Sequence, residues 1–166
     1  YFDLIDSHER VTTKNRNNFA GIHHDVDENN FLPTPFIQYI KNNIIYNLKK
    51  SPGLELLNSK GDAQFLLSFN LQYFDVYRTT PGGSVAVLLL AGPLLGGALM
   101  EETCTAVIRG EVILSDPTGE ILCSFSPDIT KSTEFRFNVF KQAYSEVTQN
   151  VTSELVKQII EHLTEC

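Results

Sequence analysis

The chain has 166 residues, 42% of them hydrophobic, with 20 acidic against 13 basic side chains and a formal net charge of -7. That length and apolar share fit one domain with its own core, and the acidic balance, with Lys14, Arg16, Lys49 and Lys50 scattered rather than striped, argues against a nucleic-acid partner. Cys104, Cys123 and Cys166 match no metal-site spacing or disulfide-rich framework and leave the redox compartment open.

In chain order, Tyr1 to Thr13 reads as a short outer or edge strand. Lys14 to Asn30 is rich in Asn, Asp and His and reads as a loop of roughly seventeen residues, longer than an inert connector. A helix follows, capped by Thr34 with Pro35 in its first position. Phe36, Ile37, Ile40, Ile44, Ile45 and Leu48 recur at three- and four-residue intervals on one face. Lys49 and Lys50 suit the C-terminal end of the helix dipole, and Pro52-Gly53 stops it. Leu54 to Leu57 is expected as a short strand and Ser59 to Asp62 as a turn. Ala63 to Thr79 is expected as the long central strand, with Ala63, Phe65, Leu67, Phe69, Leu71 and Tyr73 on its apolar face.

Thr103 to Leu114 and Glu120 to Ser126 form a predicted hairpin about Asp116-Pro117-Thr118-Gly119, a sequence suited to a type I turn. If Ser115 faces Glu120, Leu114 faces Ile121 and Val112 faces Cys123. In that register Cys104 and Cys123 share a face but lie about eight residues apart, so both are expected as buried thiols. Pro127 to Arg136 is polar and is expected to cross the end of the sheet. From about Phe137 to Leu163, the stripe Phe140, Tyr144, Val147, Val151, Leu155, Ile159 and Leu163 defines a long amphipathic helix. The expected fold is a single α+β domain over 1–166: a four- to five-stranded, mostly antiparallel sheet with two amphipathic helices on one face.

Between the central strand and the hairpin lies an uncharged run, TTPGGSVAVLLLAGPLLGGALM, from Thr79 to Met100. From Gly82 to Met100 it has 19 residues without a charge, close to the ~20 of a membrane-spanning helix. Pro93 and the glycines at 82, 83, 92, 96 and 97 interrupt it, and only Val85 to Ala91 is unbroken. Three readings compete: a strand or short helix of the core with a folded-back loop, a loop whose apolar tip meets lipid, a lipid-like ligand or a partner, and a true membrane span. The candidate contact residues are Val85, Leu88, Leu89, Leu90, Leu94 and Leu95.

Chemistry is sparse elsewhere. His8 lies between Asp6 and Glu9, and His23-His24-Asp25 precedes Asp27-Glu28, but neither group has the spacing of a metal site. No nucleophile elbow, H-E-x-x-H helix or phosphate-binding loop with its lysine is present. Asp116 is explained by its turn, and the acceptor-like Asn150-Val151-Thr152 falls within the last helix. The expectation is a protein without catalytic residues, metal or cofactor.

The order of elements resembles that of small periplasmic lipoproteins of the YajG type, auxiliary lipoproteins of envelope transport systems and the lipopolysaccharide-assembly lipoprotein LptE. The residues that carry it are Asp6 to Arg10 on the first strand, Pro35 opening a helix that ends at Leu48 to Gly53, and Gly61-Asp62-Ala63 leading into a long alternating strand. The resemblance implies a non-enzymatic domain on the periplasmic side of the bacterial outer membrane, anchored by a lipid on a cysteine before Tyr1, that binds or positions a lipid or an envelope protein complex. The apolar run is longer than the connection these families carry, which implies a tip in contact with the membrane surface. Two alternatives remain. One is a structural subunit of a large envelope assembly, with Val85 to Leu95 inserted into a neighbour or a second copy; the other is a small hydrolase using the His8 and His23 regions.

Overall fold

Two long strands form the middle of the sheet, β3 (Leu66–Pro81) and β4 (Glu101–Ser115), paired antiparallel from Leu66↔Ser115 to Thr79↔Thr103. The computed structural model describes residues 1–7, 21–25, 36–81, 101–136 and 139–165. The outer edge of β3 carries β1 (Phe2–Asp6), parallel to it, and β2 (Gly21–Asp25), antiparallel. The outer edge of β4 carries β5 (Ile121–Phe125) and β6 (Asp128–Arg136), both antiparallel. Among the described residues, six strands therefore fill four positions across one mixed, mostly antiparallel sheet.

Among the described residues the α-helices are α1 (Phe36–Lys50) and α2 (Phe140–Glu165). Ile40, Ile44 and Leu48 of α1 and Tyr144, Val147, Val151, Leu155 and Ile159 of α2 are buried in one core with Leu67, Phe69, Leu71, Phe74 and Val76 of β3 and Cys104, Ala106, Ile108 and Val112 of β4. Both helices thus cover the same face, as two one-sided apolar stripes require. Tyr39 lies beside Ser145, and Asn47 and Ser51 line a cleft with Ser153 and Lys157, so the helices run side by side in the same direction.

Gly110 marks where the sheet divides into two halves. A Cβ there would collide with the Asn70 carbonyl and the Phe69 ring. Opposite it the β3 register slips between Leu71 and Tyr73, and on its other side its N–H donates to Pro127 O at 3.3 Å, in the gap between β5 and β6. Beyond that point each edge changes strand. β1 and β5 flank the half that ends at the β4–β5 turn; β2 and β6 flank the half that ends at Pro81 and Glu101.

Several expectations are corrected. The bulge at Gln72 flips the phase of β3, so Phe74 and Val76 enter the core while Tyr73 and Asp75 point to the other face; Phe65, before the strand, is exposed. Leu54 to Leu57 forms no strand, and of that run Leu56 packs against the core. The expected Lys14–Asn30 loop contains β2, whose polar wording hid an edge strand held by backbone pairing. Asp128 to Arg136 is a strand rather than a crossing loop: Ile129 and Phe135 are buried at its ends, while Lys131 and Thr133 between them meet α2 through Glu154 at 2.9 Å and Glu146 at 3.3 Å.

The β4–β5 register also differs, with Leu114 opposite Cys123 and Val112 opposite Phe125. Gly119 adopts φ +96° after the turn, and a second irregularity follows between Leu114 and Ser115; together these slide β5 along its partner. Cys104 is a buried free thiol as expected, but Cys123 is disulfide-bonded, which corrects its reading as a thiol. Thr34 and Pro35 lie outside the described residues, as does the Phe137 start of the last helix.

Candidate functional site

The residues proposed from sequence as contacts, Val85, Leu88, Leu89, Leu90, Leu94 and Leu95, lie outside the described residues. Their two attachment points do not. Residue 81 ends β3, residue 101 begins β4, and the last pair, Thr79↔Thr103, sets those ends side by side. The uncharged run therefore connects β3 to β4 at one end of the sheet, in the longest hairpin among the described residues.

The root is held by a buried polar cluster. Glu102 falls in the same alternation as Cys104, Ala106 and Ile108, which places its carboxylate towards the helices, 2% exposed. Its Oε1 accepts from the Thr80 hydroxyl at 2.9 Å, and its Oε2 lies 3.6 Å from Arg78 Nε. A carboxylate in such a place is costly unless paired, and Arg78 and Thr80 supply the pairing from the strand across. Two residues on, Cys104 is sealed in the core, and burial pushes its thiol up to about 12 against a smaller opposing effect of Arg78. Sequence reasoning missed this cluster, although an acidic residue in phase with an apolar strand face was its signal.

At the same end an open cleft of about 760 Å³ separates the ends of β4 and β6 from the first turns of α2. Glu101, Glu134, Arg136 and Glu146 give it charge, and Phe135, Val139 and Ala143 give it an apolar side; among the described residues no histidine or cysteine lines it. The opposite sheet face carries a second polar group. Arg109 pairs with Asp128 at 2.9 Å and sits 5.1 Å from the centroid of the Tyr73 ring, whose hydroxyl donates to Asp75 at 3.2 Å. The Asp128 hydrogen bond holds the Arg109 guanidinium above its ordinary value. These contacts satisfy one another across the strands.

The histidine regions fare differently from each other. His8 lies outside the described residues. Asp6 pairs with Leu71 and His23 with Thr79, so they dock on the same edge of β3 eight residues apart, roughly 26 Å. The register thus keeps Asp6 and the His23-His24 pair from sharing one site. Among the described residues no group of three His, Cys, Asp or Glu could hold a metal ion, and no helix is long and apolar enough to cross a membrane. Asp116 is structural, its Oδ1 accepting from the backbone of Thr118 and Glu120, each at 2.9 Å. Thr152 is fully buried and donates to Thr148 O at 3.0 Å, which encloses the hydroxyl of the acceptor-like triplet.

No family model and no curated protein matches the chain. Among solved structures it is similar to a minor lipoprotein from Acinetobacter baumannii, at 14% identity and TM-score 0.48, over 80% of this chain and 87% of that one. It is also similar to a Xanthomonas campestris protein of the DUF330 family, at 10% identity and TM-score 0.44, over 98% of this chain and 85% of that one.

Proposed function

We propose that this is a non-enzymatic domain of a bacterial envelope lipoprotein, held on the periplasmic side of the outer membrane, which binds or positions a lipidic molecule or a partner complex through residues 82–100. One observation carries the reading. The hairpin that bears this uncharged run closes its strand pairing at Thr79↔Thr103, and Arg78, Thr80 and Glu102 fix that root from within. A hairpin so closed does not need the apolar run for its own register. Val85, Leu88, Leu89, Leu90, Leu94 and Leu95 then offer apolar surface whose burial is worth roughly 1.5 to 3 kcal/mol for each large side chain. Contact with lipid or with an apolar partner surface collects that energy.

The experiment compares wild type with Leu89→Asp and Leu90→Asp by co-flotation with phospholipid vesicles and by thermal melting. A contact tip predicts weakened vesicle association with a nearly unchanged Tm. A large fall in Tm with equal association makes the run part of the domain's own core and removes the proposal.

A further inference from the structure

We propose that Cys123 and Cys166 form a disulfide that clasps the end of α2 to the edge strand β5, and that this domain matures in an oxidising compartment. Cys123 is disulfide-bonded, the sequence holds three cysteines, and Cys104 is a free thiol buried in the core. Cys104 is also out of reach. Cys123 stands opposite Leu114, ten residues along β4 from Cys104, roughly 33 Å, whereas a bridge needs Cα atoms within about 7 Å. Cys166 is the cysteine that remains.

The packing of α2 leads to the same pair. Glu146 meets Thr133 at 3.3 Å, Glu154 meets Lys131 at 2.9 Å, and the His162 ring stacks on Phe125 with centroids 4.1 Å apart. Those three strand residues stand opposite Cys104, Ala106 and Val112 in turn. The sixteen helical residues from Glu146 to His162 cover about 24 Å, and the eight strand residues from Cys104 to Val112 about 26 Å, so helix and strand advance together. Beyond the stacked rings α2 continues to Glu165, three residues and about 4.5 Å further along its axis, and Cys166 is the next residue of the sequence. Cys123 precedes Phe125 by two residues, about 7 Å along the same strand face. The last residues of α2 and the step from Phe125 to Cys123 both run towards the β4–β5 turn.

The chemistry needs a thiol oxidant of the disulfide class. One cysteine thiolate attacks the donor's S–S bond and releases a donor thiolate. The second cysteine attacks the resulting mixed disulfide, the protein S–S bond forms, and the donor leaves reduced by two electrons with the two protons lost from the cysteines. Such donors act in secretory and periplasmic compartments, and the cytosol keeps thiols reduced. The inference stands independently of the role proposed for residues 82–100.

The test uses the 166-residue chain exported to a bacterial periplasm and purified without reductant. Thiol counting in denaturant should find one free thiol per chain, at Cys104, and non-reducing peptide mapping should link Cys123 to Cys166 with the loss of two hydrogens. Cys123→Ser and Cys166→Ser should each lower Tm by about 5–15 °C, since each opens the same long loop. The double variant should melt no lower than either single one, and reductant should bring wild type down to the same Tm. Three free thiols, a link involving Cys104, a disulfide-bonded dimer, or additive effects of the two substitutions would overturn the proposal.

Discussion

At the scale of single residues, the buried carboxylate of Glu102 is the most consequential group. Arg78→Ala removes its counter-charge and leaves a carboxylate 2% exposed, so the loss of stability should be about 3 kcal/mol. Glu102→Gln keeps an acceptor for Thr80 and removes the charge that Arg78 offsets, so it should cost clearly less; denaturant unfolding of the two variants measures the difference. Cys104 behaves as part of the core. Its folded thiol titrates at about 12 against 9.0 ordinarily, so its contribution is intact below pH 9 and is lost as pH rises towards 12. Native protein at neutral pH should therefore leave Cys104 unlabelled by a thiol reagent, and Cys104→Ala should flatten the alkaline fall in stability. Asp116 works in the opposite sense. Hydrogen bonds from Thr118 and Glu120 hold its carboxyl below 3.8, so its stabilisation is present above that value and fades as pH falls through the depressed pKa. The stability difference between wild type and Asp116→Asn should close on the acid side of that point.

At the scale of elements, what could be read in the sequence follows from how each element buries its side chains. α1 and α2 were legible because Ile40, Ile44 and Leu48, and Tyr144 through Ile159, repeat with the helical period and all enter the core. β4 and the Asp116 turn were legible for like reasons. β6 was not, because its inward positions Lys131 and Thr133 are polar and find partners on a helix distant in sequence. Nor was the change of phase in β3: a bulge is set by what lies opposite, and Gly110 stands there, with the Phe69 ring of β3 itself lying against it. That close approach makes a prediction. Gly110→Ala drives a methyl into the Asn70 carbonyl and the Phe69 ring, and should destabilise by about 1–3 kcal/mol without altering the helical signal of the folded state.

At the scale of the whole molecule, the sheet and its helices form a platform whose two ends differ. One end is finished by the Asp116 turn; the other carries the buried Arg78–Glu102 pair, the acidic cleft and both attachment points of residues 82–100. The sequence marked that segment by its composition, since nineteen residues without a charge stand out in an acidic chain. It did not show the root, because Arg78, Thr80 and Glu102 meet through strand pairing across the apolar run. The central claim is that residues 82–100 serve contact rather than the stability of the domain. Replacing them with a short Gly-Ser linker between the paired ends of β3 and β4, and following co-flotation with phospholipid vesicles together with the Tm, tests it most directly. The account predicts that the shortened domain melts within a few degrees of wild type and no longer floats with vesicles that carry wild type; a shortened domain that fails to fold, or that floats as well as wild type, would contradict it.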